Sequence, residues 1–194
     1  MEQRSTVRRH PERSVPKEAA EILSRGSVAH VAFLDEAQPF VIPFGYYFDH
    51  RAPEKLYLHG SKASRALRIA SSSAPLSIAV TLVDGFVYSK SAMYHSINYR
   101  SAVCFGHGRV IDDRQIQRSV YEAFIRRYFP DRVQGRDYAP ASDAELDATL
   151  LVEVSIEEWS AKARQHGAAG PHDDDPSVPG TAGVLSAEFL RLRS

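Results

Sequence analysis

Apolar positions alternate along much of the chain. In Val28 to Leu34, residues Val28, His30, Ala32 and Leu34 share one face. Phe40, Ile42, Phe44, Tyr46 and Phe48 share one face of a longer second run. The polar Asp35-Glu36-Ala37-Gln38 between them predicts a turn, so the pair reads as an antiparallel hairpin. Lys55 to His59 predicts a third strand. Leu76, Ile78, Val80 and Leu82 repeat at period two. Asp84-Gly85 then carries hairpin-turn residues, and Phe86 to Met93 reads as the return. Tyr99 to Val110 predicts a strand whose Gly106 and Gly108 point to a bulge or a close backbone approach. Leu150 to Ile156 reads as a further strand, and Thr181 to Leu190 as an edge strand or docked tail.

Helical periodicity is sparse. Pro16 suits the first position of a helix running to Arg25, with Gly26 as its stop. A helix from Lys62 to Ala70, capped by Ser61, buries Ala63, Leu67 and Ala70. From Arg114 to Phe129, Ile116, Val120, Phe124 and Tyr128 recur every fourth residue, and Pro130 ends the pattern. Arg118, Arg126 and Arg127 read as its solvated face. Ser142-Asp143-Ala144-Glu145 is a capping box. Hairpin-connected strands with few helices between them predict a mainly β fold, a closed or nearly closed antiparallel barrel. The absence of alternating βαβ units and of a Gly-rich dinucleotide motif argues against a Rossmann domain. Residues 1–15 read as a polar N-terminal extension, 16–165 as the barrel domain, and 166–194 as a Gly/Pro/Asp-rich loop and tail.

Composition narrows the function classes. Lys+Arg and Asp+Glu number 24 each, so the formal net charge is zero and a nucleic-acid partner is not expected. No apolar run reaches membrane-spanning length, and the charged Met1 to Arg13 lacks the apolar core of a secretory signal; the expectation is a cytoplasmic protein without a membrane partner. A single cysteine, Cys104, excludes an internal disulfide and a cysteine zinc site. His30, His59, His95 and His107 fall on or beside strands without metal-ligand spacing, so no metal site is expected. No Gly-x-Ser-x-Gly elbow supports a hydrolase.

The chemistry concentrates at Leu56-Tyr57-Leu58-His59-Gly60-Ser61-Lys62-Ala63-Ser64-Arg65. A strand, a Gly break, hydroxyls and two cations at a helix start suit a phosphate. The same residues also suit a ligand-free capped helix with surface charges, and both readings stay open at this level. Trp159, in Glu158-Trp159-Ser160-Ala161-Lys162, could cover a flat ring beside a cation or simply close the barrel.

Four strings carry a resemblance: Val7 to Arg13, Gln38 to Pro43, His59 to Leu67 and Val83 to Val103. Across roughly residues 5 to 165 the chain resembles a bacterial flavin-nucleotide-binding family of pyridoxamine 5'-phosphate oxidase-like split barrels, close to the 5-nitroimidazole-resistance proteins. The resemblance implies a six-stranded antiparallel split β-barrel of Greek-key type. It also implies a homodimer with FMN in clefts at the interface. The phosphate would be held by Ser61, Lys62, Ser64 and Arg65, and the flavin ring would run along Val41, Ile42, Pro43 and Phe44. His95, Asn98, Tyr99 and Arg100 would reach the cleft or the dimer interface, with Trp159 and Lys162 as further cofactor contacts. His59 aligns with a histidine near the active cleft and is the candidate catalytic residue. The expected function is that of a flavin-dependent reductase or oxidase on a small-molecule substrate, with NADH or NADPH as electron donor; the alternative is a non-enzymatic flavin or haem binder, with His59, His95 or His107 as an axial ligand. The oxidase's basic signature is missing from Phe40-Val41-Ile42-Pro43-Phe44, so the pyridoxamine phosphate reaction itself is not implied. Ala182 to Leu185 resembles the family's ending without its usual preceding Trp, which leaves tail contacts open.

Overall fold

The computed structural model describes residues 3–188. Strands β1 (Val28–Asp35) and β2 (Gln38–Phe48) form the expected hairpin, in register from Val28 opposite Gly45 to Asp35 opposite Gln38. Then follow β3 (Lys55–Ser61), β4 (Ser72–Tyr88), β5 (Ser96–Val110), β6 (Thr149–Arg164) and β7 (Gly183–Ser186). All neighbours are antiparallel, in the order β1-β2-β3-β6-β5-β4-β7, and β1 also pairs with β4. Six strands therefore close a ring, the six-stranded antiparallel split β-barrel that the sequence implied, with β7 on its rim.

The ring is closed unevenly. β4 and β5 pair almost along their whole length, and so do β5 and β6. β2 meets β3 only at Tyr46–Phe48 opposite Leu56–Leu58, and β1 meets β4 only at His30–Ala32. Alternation decides what fills the interior. Ala29, Val31 and Phe33 of β1 are buried, so Val28, His30, Ala32 and Leu34 face outward. Phe40, Ile42, Phe44, Tyr46 and Phe48 line the core. Tyr46 is fully buried and its hydroxyl donates to the Leu23 carbonyl at 2.6 Å; burial pushes its pKa up to about 12.

Among the described residues, four α-helices sit at the ends and on one flank. A 3-10 turn at Pro16–Glu18 leads into α1 (Ala19–Arg25), which buries Ile22 and Leu23. α2 (Arg65–Ala70) buries Leu67 and Ala70 against β1, β3, β4, β5 and β6. α3 (Arg114–Tyr128) covers a second apolar cluster of Ile111, Val120 and Leu151 with Tyr47, Tyr57 and Tyr121. α4 (Asp143–Ala148) opens with the capping box read from Ser142 and Glu145. Residues 3–15 run along β6, where Arg4 pairs with Glu157 at 2.8 Å and the Val15 amide donates to the Ala161 carbonyl. Asp173, in the loop before β7, accepts from Ser89 Oγ and the Lys90 amide. Among the described residues no helix is long and apolar enough to cross a membrane.

Four local expectations change. Asp84-Gly85 is not a hairpin turn, because β4 runs on to Tyr88 through a register shift. The Asp84 carboxylate is taken by Arg100 of β5, and Gly85 lies so close to β7 that a Cβ would strike the Leu185 carbonyl. Ser61 is not a helix cap. The β3–β6 ladder carries through Ser61 opposite Thr149, and the Lys62 amide still reaches the Ala148 carbonyl, so Ser64 caps α2 and the helix starts at Arg65. β6 extends to Arg164 rather than ending at Ile156, which places Trp159 and Lys162 in a strand. The final strand is the short β7; Phe189 and Leu190 of the expected tail lie outside the described residues.

Gly106 and Gly108 behave as their spacing suggested. The β5–β6 ladder shifts register between Phe105 and Gly106. At Gly108 a Cβ would collide with the Ala70 carbonyl, so the end of α2 sits directly on β5. Gly108→Ala is expected to lower stability by about 1–3 kcal/mol through this clash, seen as a lower urea midpoint.

Glu153 of β6 is a buried carboxylate. Burial raises its pKa, but hydrogen bonds from Arg109 and Tyr57, with Lys55 at 3.4 Å, outweigh that and hold the carboxyl below the ordinary glutamate value. A depressed folded pKa contributes stability above the unfolded value and loses it as pH falls through the folded one. Glu153→Gln should cost about 1–3 kcal/mol near neutral pH. The gap to the parent should close as the pH of urea titrations drops below the ordinary 4.5.

Candidate functional site

The first candidate site is the split between β2 and β3. From Gln38 to Gly45, β2 is paired only with β1 among the described residues. Pro39 and Pro43 have no N–H to give a ladder, and a paired strand tolerates proline where its nitrogen faces away. Val41 belongs to the same alternate set, so its backbone N–H and C=O lie on the open edge. The side chains of Val41 and Pro43 are exposed, while Ile42 and Phe44 pack toward the core.

The cationic turn follows β3 at this split. Ser61 Oγ accepts from the Ala63 amide, and Ser64 Oγ accepts from the Leu67 amide. Lys62 is exposed, and its ammonium has no partner among the described residues. Arg65 is held in place: its guanidinium lies 4.3 Å from the Phe40 ring centroid and 3.3 Å from the Asp35 carboxylate. The turn thus joins one free cation to one oriented by β1 and β2. The sequence reading missed Asp35 and Phe40, whose proximity depends on the hairpin packing on α2.

The second candidate site is a cleft of about 590 Å³ between β3, α3, α4 and the segment joining the two helices. His59 forms part of its wall, with Tyr121, Phe124, Ile125, Phe129 and Leu146 supplying apolar surface. The imidazole meets Phe124 edge-on at 4.7 Å and Tyr121 at 5.3 Å. It makes no hydrogen bond among the described residues, and burial lowers its pKa. A neutral imidazole with a free nitrogen lone pair in an apolar cleft can accept a proton or ligate a metal centre. Burial raises the neighbouring Tyr121 phenol to about 12. Tyr121 and Phe124 were legible as helix residues, but nothing in their spacing tied them to His59.

The remaining sequence-derived site residues lie elsewhere in the single chain. Arg100 is clamped to Asp84 at 2.7 Å and borders a separate polar cleft with Arg25, His30 and Thr81. Tyr99 is the neighbouring ladder residue, opposite Val83 and Arg164. His95 is exposed, with Nδ1 3.2 Å from the Ala92 carbonyl. The buried Asn98 amide is engaged by Arg164 and the His166 backbone. Trp159 packs on the core opposite Cys104, whose thiol burial pushes up to about 12. Lys162 donates to the Arg9 carbonyl at 3.0 Å, which anchors the N-terminal segment. His107 pairs with Glu157 at 2.6 Å. Within one chain, therefore, the Ser61–Arg65 turn and the Val41–Phe44 edge share the split, His59 opens into the second cleft, and the others are distributed over β5 and β6.

Comparison with known proteins follows the same lines. A structure of the FAD and haem binding protein from Mycobacterium smegmatis matches 90% of this chain and 83% of its own, with 29% identity and a TM-score of 0.78. The flavocytochrome Anf3 from Azotobacter vinelandii matches 95% of this chain and 84% of its own, with 26% identity and a TM-score of 0.81. A putative 5-nitroimidazole antibiotic resistance protein from Bacteroides thetaiotaomicron shares the fold at 20% identity and a TM-score of 0.61, over 77% of this chain and 85% of its own. No curated protein sequence matches the chain. The family model of pyridoxamine 5'-phosphate oxidase matches residues 16–163, nearly the whole barrel, and the chain belongs to that flavin-binding split-barrel family.

Proposed function

We propose that the protein is an FMN-dependent oxidoreductase acting on a small molecule, with the flavin bound along the split and enclosed by a second copy of the chain. The observation that carries this reading is the open edge of β2 beside a cationic turn. Backbone groups of β2 would meet the flavin ring's polar edge. Ser61, Lys62, Ser64 and Arg65 would meet the phosphate, with Lys62 supplying uncompensated charge and Arg65 a bidentate fork. The flavin supplies hydride and electron chemistry when bound, with NADH or NADPH as the reductant. The chain's own task is to position the ring, neutralise the phosphate and exclude water.

The outward face of the barrel supports a dimer. Val28, Leu34, Val41 and Val83 are between 46% and 65% exposed, beside Ala32 and Pro43, and an apolar face of this kind gains by being covered. A second copy on that face would bring Tyr99, Arg100 and the His95 segment toward the flavin. Light scattering on the flavin-loaded protein tests the assembly.

The His59 cleft favours a second prosthetic group, haem, beside the flavin. The fit rests on the unbonded neutral imidazole, the aromatic walls and Arg132 at the cleft wall as a partner for a carboxylate. Two of the structural neighbours are described as binding both groups or as a flavocytochrome, which supports this reading. His59 would hold the haem iron, and haem would supply one-electron chemistry.

Titration of apo protein with FMN, FAD and riboflavin tests the flavin reading. Lys62→Ala and Arg65→Ala should each weaken FMN about 10- to 150-fold, the worth of a charge-assisted hydrogen bond. Riboflavin, which lacks a phosphate, should be nearly unaffected; equal losses for both ligands would refute the anchor role. After haem reconstitution, the parent should show a Soret band that His59→Ala loses while keeping its flavin spectrum. A parent with no Soret band removes the haem reading and leaves the flavin reading intact.

A further inference from the structure

The C-terminal turn of α3 makes contacts that a solvated helix face does not need. Arg126 is exposed and among the described residues pairs only with Glu122, as expected. Arg127, read from sequence as equally solvated, instead turns inward. Its Nη2 donates to the Leu23 carbonyl at 3.1 Å and also to the Gly26 carbonyl. Its guanidinium lies 4.8 Å from the Tyr46 ring centroid and 5.2 Å from that of Tyr128. Tyr128 adds a second anchor, donating to the Tyr46 carbonyl at 2.8 Å and sitting 3.2 Å from that of Ser27. Both side chains thus grip the end of α1, the residues leading into β1 and the last part of β2. Leu23 is in the last turn of α1, where carbonyls lack helical partners and a cation is favoured.

The grip is connected to the His59 cleft by a row of rings. Tyr128 packs on Phe124 at 4.7 Å, and Phe124 packs on His59 at the same distance. A Cβ on Gly45 would touch the Phe124 ring at 3.4 Å, so α3 lies close on β2 there. Tyr121 completes the roof one turn earlier. Tight packing alone does not call for an arginine. An apolar side chain could fill the space against Tyr46 and Tyr128, whereas the guanidinium leaves Nη1 buried without a partner. What the guanidinium adds is direction: two carbonyl contacts fix how far α3 slides and turns over β3.

We infer that Arg127 and Tyr128 are positioning residues, a latch that holds α3 as a roof over His59 and so sets access to the imidazole from the far end of the helix. The inference rests on the His59 cleft as a ligand site but not on which group fills it. With the roof in place, the Phe124 and Tyr121 rings cover the imidazole. The other titratable or charged groups around it are Tyr121 of α3, Arg132 and Tyr138 of the joining segment, Glu145 of α4 and, on the same face of β3, Tyr57; none hydrogen-bonds to the ring. Loosening the latch uncovers the imidazole to solvent and to reagents.

The test uses the full chain without cofactor. Carbethoxylation of His59 by diethyl pyrocarbonate is timed at fixed pH by mass spectrometry, with His59→Gln identifying the modified site. Arg127→Gln should speed the modification of His59 about tenfold or more, as expected when a charged donor's hydrogen bonds are lost, and Tyr128→Phe, which loses a neutral donor, should speed it about two- to tenfold. Arg127→Lys, which keeps the charge and one donor, should recover part of the protection, and Arg126→Gln should match the parent. If Arg127→Gln fails to fold, Tyr128→Phe carries the test, since it removes two polar contacts and keeps the ring. Folded latch variants with an unchanged His59 modification rate would overturn the inference, as would Arg127→Lys behaving no better than Arg127→Gln. A chromophore that fails to bind the parent bears on the flavin and haem readings alone.

Discussion

The proposed flavin site depends on how little β2 pairs with β3. Three residue pairs, Tyr46–Phe48 against Leu56–Leu58, close the ring on that side. Beyond them the strands diverge, and the first part of β2 keeps one edge unpaired. An unpaired edge is ordinarily an aggregation hazard. Pro39 and Pro43 blunt it by removing N–H donors, so another strand cannot zip along it, while the alternate Val41 leaves a few backbone groups for a smaller partner. The same divergence lets β3 run on beside β6 to Ser61 and deliver its cationic turn beside the open edge.

Electrostatics then divides the cations by task. Arg109 is committed to buried Glu153, Arg100 to Asp84, and Arg127 to carbonyls at the end of α1. Arg65 is half-committed, oriented by Asp35 and Phe40 but exposed at its rim. Lys62 has no partner among the described residues. In a chain of zero formal charge, a free ammonium next to an oriented guanidinium is a local feature that net charge cannot reveal.

The barrel carries two apolar surfaces of different character. Its interior is filled by alternating residues from six strands and sealed at Tyr46, where a buried hydroxyl is satisfied by the Leu23 carbonyl. Its flank, under α3, adds tyrosines and a histidine to the aliphatic Ile111, Val120 and Leu151, and it is incompletely filled. A helix laid over a sheet by a polar latch and a row of rings is easier to shift than a closed ring of strands. That difference puts the candidate His59 cleft outside the barrel and the rigid frame within it.

Period-two alternation determined the strands and the mainly β class, because side-chain direction in a strand is a local property. The helix of Arg114 to Tyr128, the Ser142 capping box, and the meaning of Gly106 and Gly108 were legible for the same reason: each depends on neighbours in sequence. The strings around His59 and Val83 carried the family. Asp84-Gly85 misled because its turn chemistry was overridden by Arg100 across the ladder, and Ser61 because β6 prolonged its strand. Which face of Val28 to Leu34 turned inward, what held Arg65, and what roofed His59 were decided only by the tertiary structure. Arg127 shows why most clearly. Beside Arg126 in sequence it has the same chemistry, but its carbonyl partners lie about a hundred positions away and exist as acceptors only where α1 ends.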